Sequence, residues 1–298
     1  MFAPIFNDYQ SKVCHMENIR NDVKQWTVRH PGFLIFMIDQ SHSMQDVYSE
    51  EGSKADFTAK VINRTIYELI NMNLNGETIK DRMKIAVVGY GGQGGDSVQI
   101  MRAGMLSSYA NNPLQINKAK QKVVNGDLVL GEIEVEQPVY VNPLAKGSTA
   151  MGKAFQLVRG TLVDECKEQG RNYSETIVIN ISDGSPWSHE LKFKERDLAL
   201  GEAQSLMRDG VLIYNAHIGN GHPKLICPNH IDSSDGRQAK FLFDISSVIP
   251  QGYLNMARKF ELYLSDGARG FVSNASPDVL IKFINFGSSG AFAKDRLA

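Results

Sequence analysis

"FLIFMIDQSHSMQ" (Phe33–Gln45) decides the fold. Six apolar residues run straight into Asp39, followed by Ser41 and Ser43 with His42 between them. A continuous apolar run this short is not an independent helix, and it lacks the alternation of a half-exposed strand. It reads as a strand buried on both faces. Three further runs have the same character: "MKIAVVG" (83–89), "ETIVINI" (175–181) and "VLIYNAHI" (211–218). Helical patterns lie between them. Residues 56–73 place Phe57, Val61, Ile62, Ile66, Leu69 and Ile70 on one face, and residues 150–168 and 192–208 behave alike, with Gly210 as a stop signal. Strands alternating with helices predict an α/β protein: an open, mostly parallel, doubly wound (Rossmann-like) sheet with helices on both faces.

Residues 128–136, "LVLGEIEVE", alternate Ile133 and Val135 with glutamates and predict a half-exposed strand near an edge, after a turn at Asn125-Gly126. Toward the C-terminus the pattern predicts a helix around 247–262, a short apolar run at "GFVSNA" and a last helix over 277–286 opened by Ser276-Pro277. No long linker, low-complexity stretch or repeat interrupts the chain, so one domain spanning 1–298 is expected, with additions at both ends.

The 298 residues can bury a full core. A formal net charge of −1 gives no global field for nucleic acid or an anionic membrane, and neither is expected as a partner. "MFAPIFNDYQ" lacks the layout of a signal peptide. Cys14, Cys166 and Cys227 are odd in number and scattered, which suits a reduced, cytoplasmic setting; the sequons at Asn63, Asn172 and Asn274 are then fortuitous.

Three stretches invite a functional reading. "GYGGQGG" (89–95) contains G-x-G-x-x-G after a strand, but "DSVQIMRAG" follows as another strand and no acid occurs from Ser97 to Gly126. A strand-to-strand turn is expected, not a dinucleotide site. His217, His222, Cys227 and His230 match no zinc-ligand spacing, and His217 reads as a core histidine. The third stretch is Asp39-x-Ser41-x-Ser43. It follows a buried strand, and Asp183 follows another, at the carboxyl ends where open α/β sheets bind ligands. Thr149 stands just ahead of a helix over the same sheet. Two carboxylates and three hydroxyls form an all-oxygen set suited to a hard cation such as Mg²⁺.

These residues resemble the metal-ion-dependent adhesion site of a von Willebrand factor type A (VWA) domain. All five positions are filled in order, and the resemblance covers a core of about residues 30–220, between an N-terminal arm (1–29) and a C-terminal extension (221–298). It implies that Ser41 and Ser43 ligate Mg²⁺ (or Mn²⁺) directly. Thr149 ligates directly or through water, and Asp39 and Asp183 act mostly through waters or hydrogen bonds. A partner's Asp or Glu would take an open position. The later stretches "VLIYNAHIGNG", "FLFDISSVIP" and "RGFVSNASPDVLIKFINFG" resemble stand-alone bacterial proteins of this type, which implies a signalling or stress-response setting with a PP2C-type phosphatase or Ser/Thr kinase as partner. Two positions depart from the family pattern: His42 stands where glycine is usual, as does Ser148 before Thr149.

The resulting expectation is a metal-dependent protein-binding module and not an enzyme. A phosphoester hydrolase of the haloacid-dehalogenase type is the alternative, but it needs an acid two residues after the nucleophilic Asp, and Ser41 stands there. A metal-free scaffold is the third reading. Asp39→Ala is expected to abolish metal-dependent binding and leave the fold intact, the site lying at the sheet's rim. Arg102, Lys118, Lys120 and Lys122, within the acid-free stretch 97–126, offer a second contact surface as the alternative to the preferred reading, a solvated face balanced by acids elsewhere.

Overall fold

The computed structural model describes residues 26–288, apart from 50–51, 126–127, 169, 171–172, 174 and 220. Most of the N-terminal arm therefore lies outside the described residues. Within them, the four apolar runs form the strands expected: β1 (Gly32–Asp39), β2 (Met83–Tyr90), β6 (Thr176–Ser182) and β7 (Leu212–His217). β3 (Val98–Met105) follows the glycine-rich turn, β4 (Gln115–Asn125) and β5 (Leu128–Val139) follow it, and β8 (Leu225–Ile226) and β9 (Phe271–Ser273) come last. The seven-stranded sheet runs β8-β9-β7-β6-β1-β2-β3. Its five inner strands are parallel, and the edge strands β3 and β8 are antiparallel.

All eight residues of β1 are buried, because both faces of the sheet are covered. Leu34, Phe36 and Ile38 pack into one core and Phe33, Ile35 and Met37 into the other. The first core lies under α1 (Lys54–Met72), α2 (Leu106–Asn111), α6 (Gln251–Ala257) and α7 (Pro277–Ser288). The second lies under α3 (Met151–Leu157), α4 (Lys194–Arg208) and α5 (Arg237–Asp244). α3 runs on through a π-helical stretch, Val158–Asp164, into Glu165–Glu168. The doubly wound expectation holds.

Three details differ from the sequence reading. The 128–136 segment does not border the main sheet: among the described residues β5 pairs only with β4, in a separate antiparallel ribbon. The helix around 247–262 is confined to α6 and a turn at Arg258–Phe260, since Pro250 sets its start. And residues after 220 complete the sheet, with β9 pairing directly to β7.

α1 positions the site. Ser53 and Asp56 form a capping box: the Ser53 Oγ accepts the Asp56 N–H at 3.1 Å and Asp56 Oδ2 accepts the Ser53 N–H at 3.0 Å. That pair fixes where the helix begins and so where Lys54, its first residue, projects.

Candidate functional site

β1 and β6 end side by side, with Ile38 opposite Ile181. Asp39 and Ser182 are therefore neighbours at the next step, and Asp183 leaves the sheet next to them. Asp39 is fully buried. Its Oδ1 accepts the Ser41 N–H at 2.8 Å and its Oδ2 accepts the Ser182 hydroxyl at 2.6 Å. The first bond closes a tight turn into the 3₁₀ segment His42–Gln45, which sets the Ser41 and Ser43 hydroxyls 3.2 Å apart. Ser43 Oγ then donates to Asp183 Oδ1 at 2.8 Å.

Thr149 arrives on a third loop. The Lys146 N–H donates to the Gln40 carbonyl and the His42 N–H to the Gly147 carbonyl, both at 2.8 Å, so this loop runs along the first one. Thr149 is buried, and its carbonyl accepts the Trp187 N–H at 3.0 Å. Its hydroxyl lies 3.5 Å from where a Cβ would stand at Gly184. The structure thus links Asp39, Ser41, Ser43 and Asp183 through hydrogen bonds and brings Thr149 alongside by backbone pairing.

Four contributors were not singled out in the sequence. Ser182 could have been found by aligning the ends of two parallel strands. Gln40 explains the glycines: a Cβ on Gly89 or Gly92 would come within 2.2 Å of its Oε1. "GYGGQGG" is thus a close-packed turn between β2 and β3, with no helix to hold a phosphate. Asp96, on that turn, accepts hydrogen bonds from Ser148 Oγ (2.6 Å), the His189 N–H (2.7 Å) and the Glu190 N–H (2.9 Å). Burial opposes its charge, but these bonds outweigh it and hold its carboxyl well below the usual range.

Lys54 is the fourth. Its Nζ donates to Asp183 Oδ2 at 2.6 Å, to Asp46 Oδ2 at 3.1 Å and to the Ser43 carbonyl at 3.5 Å. Burial favours the neutral amine, but Asp183 and then Asp46 outweigh it and keep Lys54 protonated. Asp39 has no such cation: among the described residues Lys54 bridges only Asp183 and Asp46. Burial, and then the charge of Asp183, push the Asp39 carboxyl up to about 7, against the hydrogen bonds from Ser182 and Ser41. Of the two carboxylates only Asp183 has an ammonium partner, so Asp39, when ionised, carries a charge that no described cation offsets, beside the hydroxyls of Ser41 and Ser43. That composition fits a hard divalent cation.

His217 is buried in β7 with Nδ1 2.8 Å from Ser273 Oγ, and burial lowers its pKa. Among the described residues no three His, Cys, Asp or Glu side chains group as a metal site. His42 is exposed on the rim, its Nδ1 3.3 Å from Gln45 Nε2. Arg102 stacks over Tyr109 at 4.2 Å and Lys118 pairs with Glu134 at 2.8 Å, as a balanced surface requires; the side chains of Lys120 and Lys122 lie outside the described residues.

No family model matches the chain. Among curated proteins it is 26% identical over 207 residues to 2-hydroxyisoflavanone synthase of Glycyrrhiza uralensis, covering 63% of this chain and 39% of that protein. It is 26% identical over 194 residues to the Glycine max protein of the same name, covering 59% and 37%. The chain thus spans under two-fifths of the length of these relatives. Among solved structures, the manganese-loaded TRAP protein of Plasmodium vivax is similar at 17% identity and a TM-score of 0.34, covering 64% of this chain and 59% of that one. The vWF domain of the type V pili tip protein Mfa5 from Porphyromonas gingivalis gives 11% and 0.43, covering 87% and 95%. The PilB minor pilin of Streptococcus sanguinis gives 9% and 0.43, covering 86% and 60%. At these levels the comparisons assign neither a family nor an activity, and the functional reading rests on the site.

Proposed function

We propose that this chain is a protein-binding module of the VWA type, in which Asp39, Ser41, Ser43, Thr149 and Asp183 hold Mg²⁺ or Mn²⁺ and an Asp or Glu of a protein partner completes the site. The observation that carries the reading is the charge of Asp39: it is buried, it feels the charge of Asp183, and among the described residues no cation pairs with it, while the Ser41 and Ser43 hydroxyls stand 3.2 Å apart on the loop it anchors. A bound divalent ion supplies a positive centre for an acidic ligand. This chain's own residues do the rest. Asp39 orients the loop through the Ser41 N–H, Ser182 fixes the Asp39 carboxylate, and Ser43 ties the loop to Asp183. The proposed setting is cytoplasmic, with a PP2C-type phosphatase or a Ser/Thr kinase as the first partners to try.

One observation favours the second reading, a metal-free scaffold. Ser41, Ser43, Asp183 and Lys54 already satisfy one another by hydrogen bonds. The test is isothermal titration of the metal-free chain with Mn²⁺ and Mg²⁺, followed by partner capture with and without EDTA. Saturable binding at one site and EDTA-sensitive capture support the module. Capture indifferent to EDTA, with no metal heat, selects the scaffold.

A further inference from the structure

Lys54 is placed with unusual care for a surface lysine. The capping box fixes the first turn of α1, and its side chain is only 12% exposed while that of Asp183 is 2% exposed. An ammonium has three donors, and here there are three acceptors: the Asp183 and Asp46 carboxylates and the Ser43 carbonyl. Asp183 is engaged on both oxygens at once, by Ser43 on Oδ1 and by Lys54 on Oδ2. Any cation reached by the Ser43 hydroxyl and the Asp183 carboxylate therefore lies close to the Lys54 ammonium, in a half-buried place where like charges are only partly screened.

We infer that Lys54 is a tethered cation that competes with the divalent ion for the Asp183 carboxylate and thereby sets the affinity of the site; this rests on the metal-binding reading. In the metal-free chain Lys54 neutralises Asp183 and closes the hydrogen-bonded set. When a divalent ion enters, the ammonium either leaves Asp183 for Asp46 and solvent or stays and repels the ion, and both routes cost affinity. The chain thus holds metal less tightly than the same oxygen set would without the lysine.

The sign of a single measurement separates this role from a merely structural one. If Lys54 only held Asp183 in place, removing it would weaken metal binding. If it competes, removing it tightens binding. Isothermal titration with Mn²⁺ is made on the wild type, Lys54→Met, Lys54→Gln and Lys54→Arg, each checked for folding by circular dichroism. The Met and Gln variants are expected to bind Mn²⁺ at least roughly tenfold more tightly, the loss of one charge-assisted contact in competition, and the Arg variant to stay near wild type. Equal or weaker binding in Lys54→Met and Lys54→Gln overturns the inference while leaving the metal site standing. Absence of Mn²⁺ binding in all four proteins removes the metal site and the inference with it.

Discussion

Asp39→Asn offers a test in which the stability order of two proteins reverses with metal. In the metal-free fold the Asp39 carboxyl is raised from 3.8 to about 7. For an acid, a folded-state pKa above the unfolded one means that stability is highest at low pH. It falls as pH rises from about 4 toward 7, and the full cost is present above that. At pH 8 the ionised carboxylate therefore costs about 4 kcal/mol. Asparagine removes the charge. Its oxygen can keep the Ser41 N–H, and the Ser182 hydroxyl can turn to accept from the amide; one leftover N–H costs about 1–2 kcal/mol. The net expectation in EDTA at pH 8 is a variant about 2 kcal/mol more stable than wild type, or about 4 °C in Tm. With Mg²⁺ or Mn²⁺ at about 1,000 times its Kd, wild type gains about 4.1 kcal/mol and the variant gains little, so the order reverses. Thermal unfolding by circular dichroism, in EDTA and in a metal series, reads both limbs. A variant less stable than wild type in EDTA would mean that Asp39 serves the fold as a hydrogen-bond acceptor. A variant that keeps the metal-dependent rise would remove Asp39 from the site. The burial also corrects the expectation for Asp39→Ala: alanine would orphan the Ser41 N–H and leave the Ser182 hydroxyl only its longer contacts with the Gly184 backbone, so a neutral effect on the fold does not follow.

The loops behind the site are open to simpler tests. Asp96→Asn loses the charge that gathers Ser148, His189 and Glu190; it is expected to cost about 1.5–3 kcal/mol in urea unfolding and to weaken Mn²⁺ binding, because Ser148 precedes Thr149. An unchanged Mn²⁺ affinity would mean that the pinning does not reach Thr149. In Gly147→Ala the new Cβ would meet the Gly95 carbonyl oxygen at 2.4 Å and that of Gly91 at 2.5 Å. Both are backbone atoms that cannot turn aside, so a loss of about 2 kcal/mol or more is expected, and a shift of under 1 °C in Tm would show that the three loops are not packed as described.

The sheet was legible because its strands carry their burial in their composition. Residues such as Leu34-Ile35-Phe36 cannot alternate between water and core, and only a sheet covered on both faces accepts them. The β4–β5 ribbon was half legible. The Ile-Glu alternation announced an exposed strand, but whether that strand joins the main sheet depends on which edge is free, and local pattern does not encode that. The short helix α5 was obscured for a related reason. It is ordered by packing on β7 and β9, and its own sequence is too short for periodicity to stand out.

The meeting of Asp39, Ser41, Ser43 and Asp183, with Thr149 alongside, was legible as well, since their order and their place after apolar strands are features of the chain itself. The residues that tune them were not. Ser182 matters only because β1 and β6 pair with Ile38 beside Ile181. Gln40 and the glycines matter only because one turn folds over the other. Lys54 looks like the first residue of an ordinary amphipathic helix, and nothing in "EGSKADF" points to a carboxylate 129 residues away. Its partner is set by the angle at which α1 leaves its capping box. A set of oxygen donors can therefore be read from spacing, whereas its charge balance cannot. Two chains with the same five oxygens would differ in charge at Asp183 according to whether a lysine or a neutral residue opens that helix, and a spacing motif would not distinguish them.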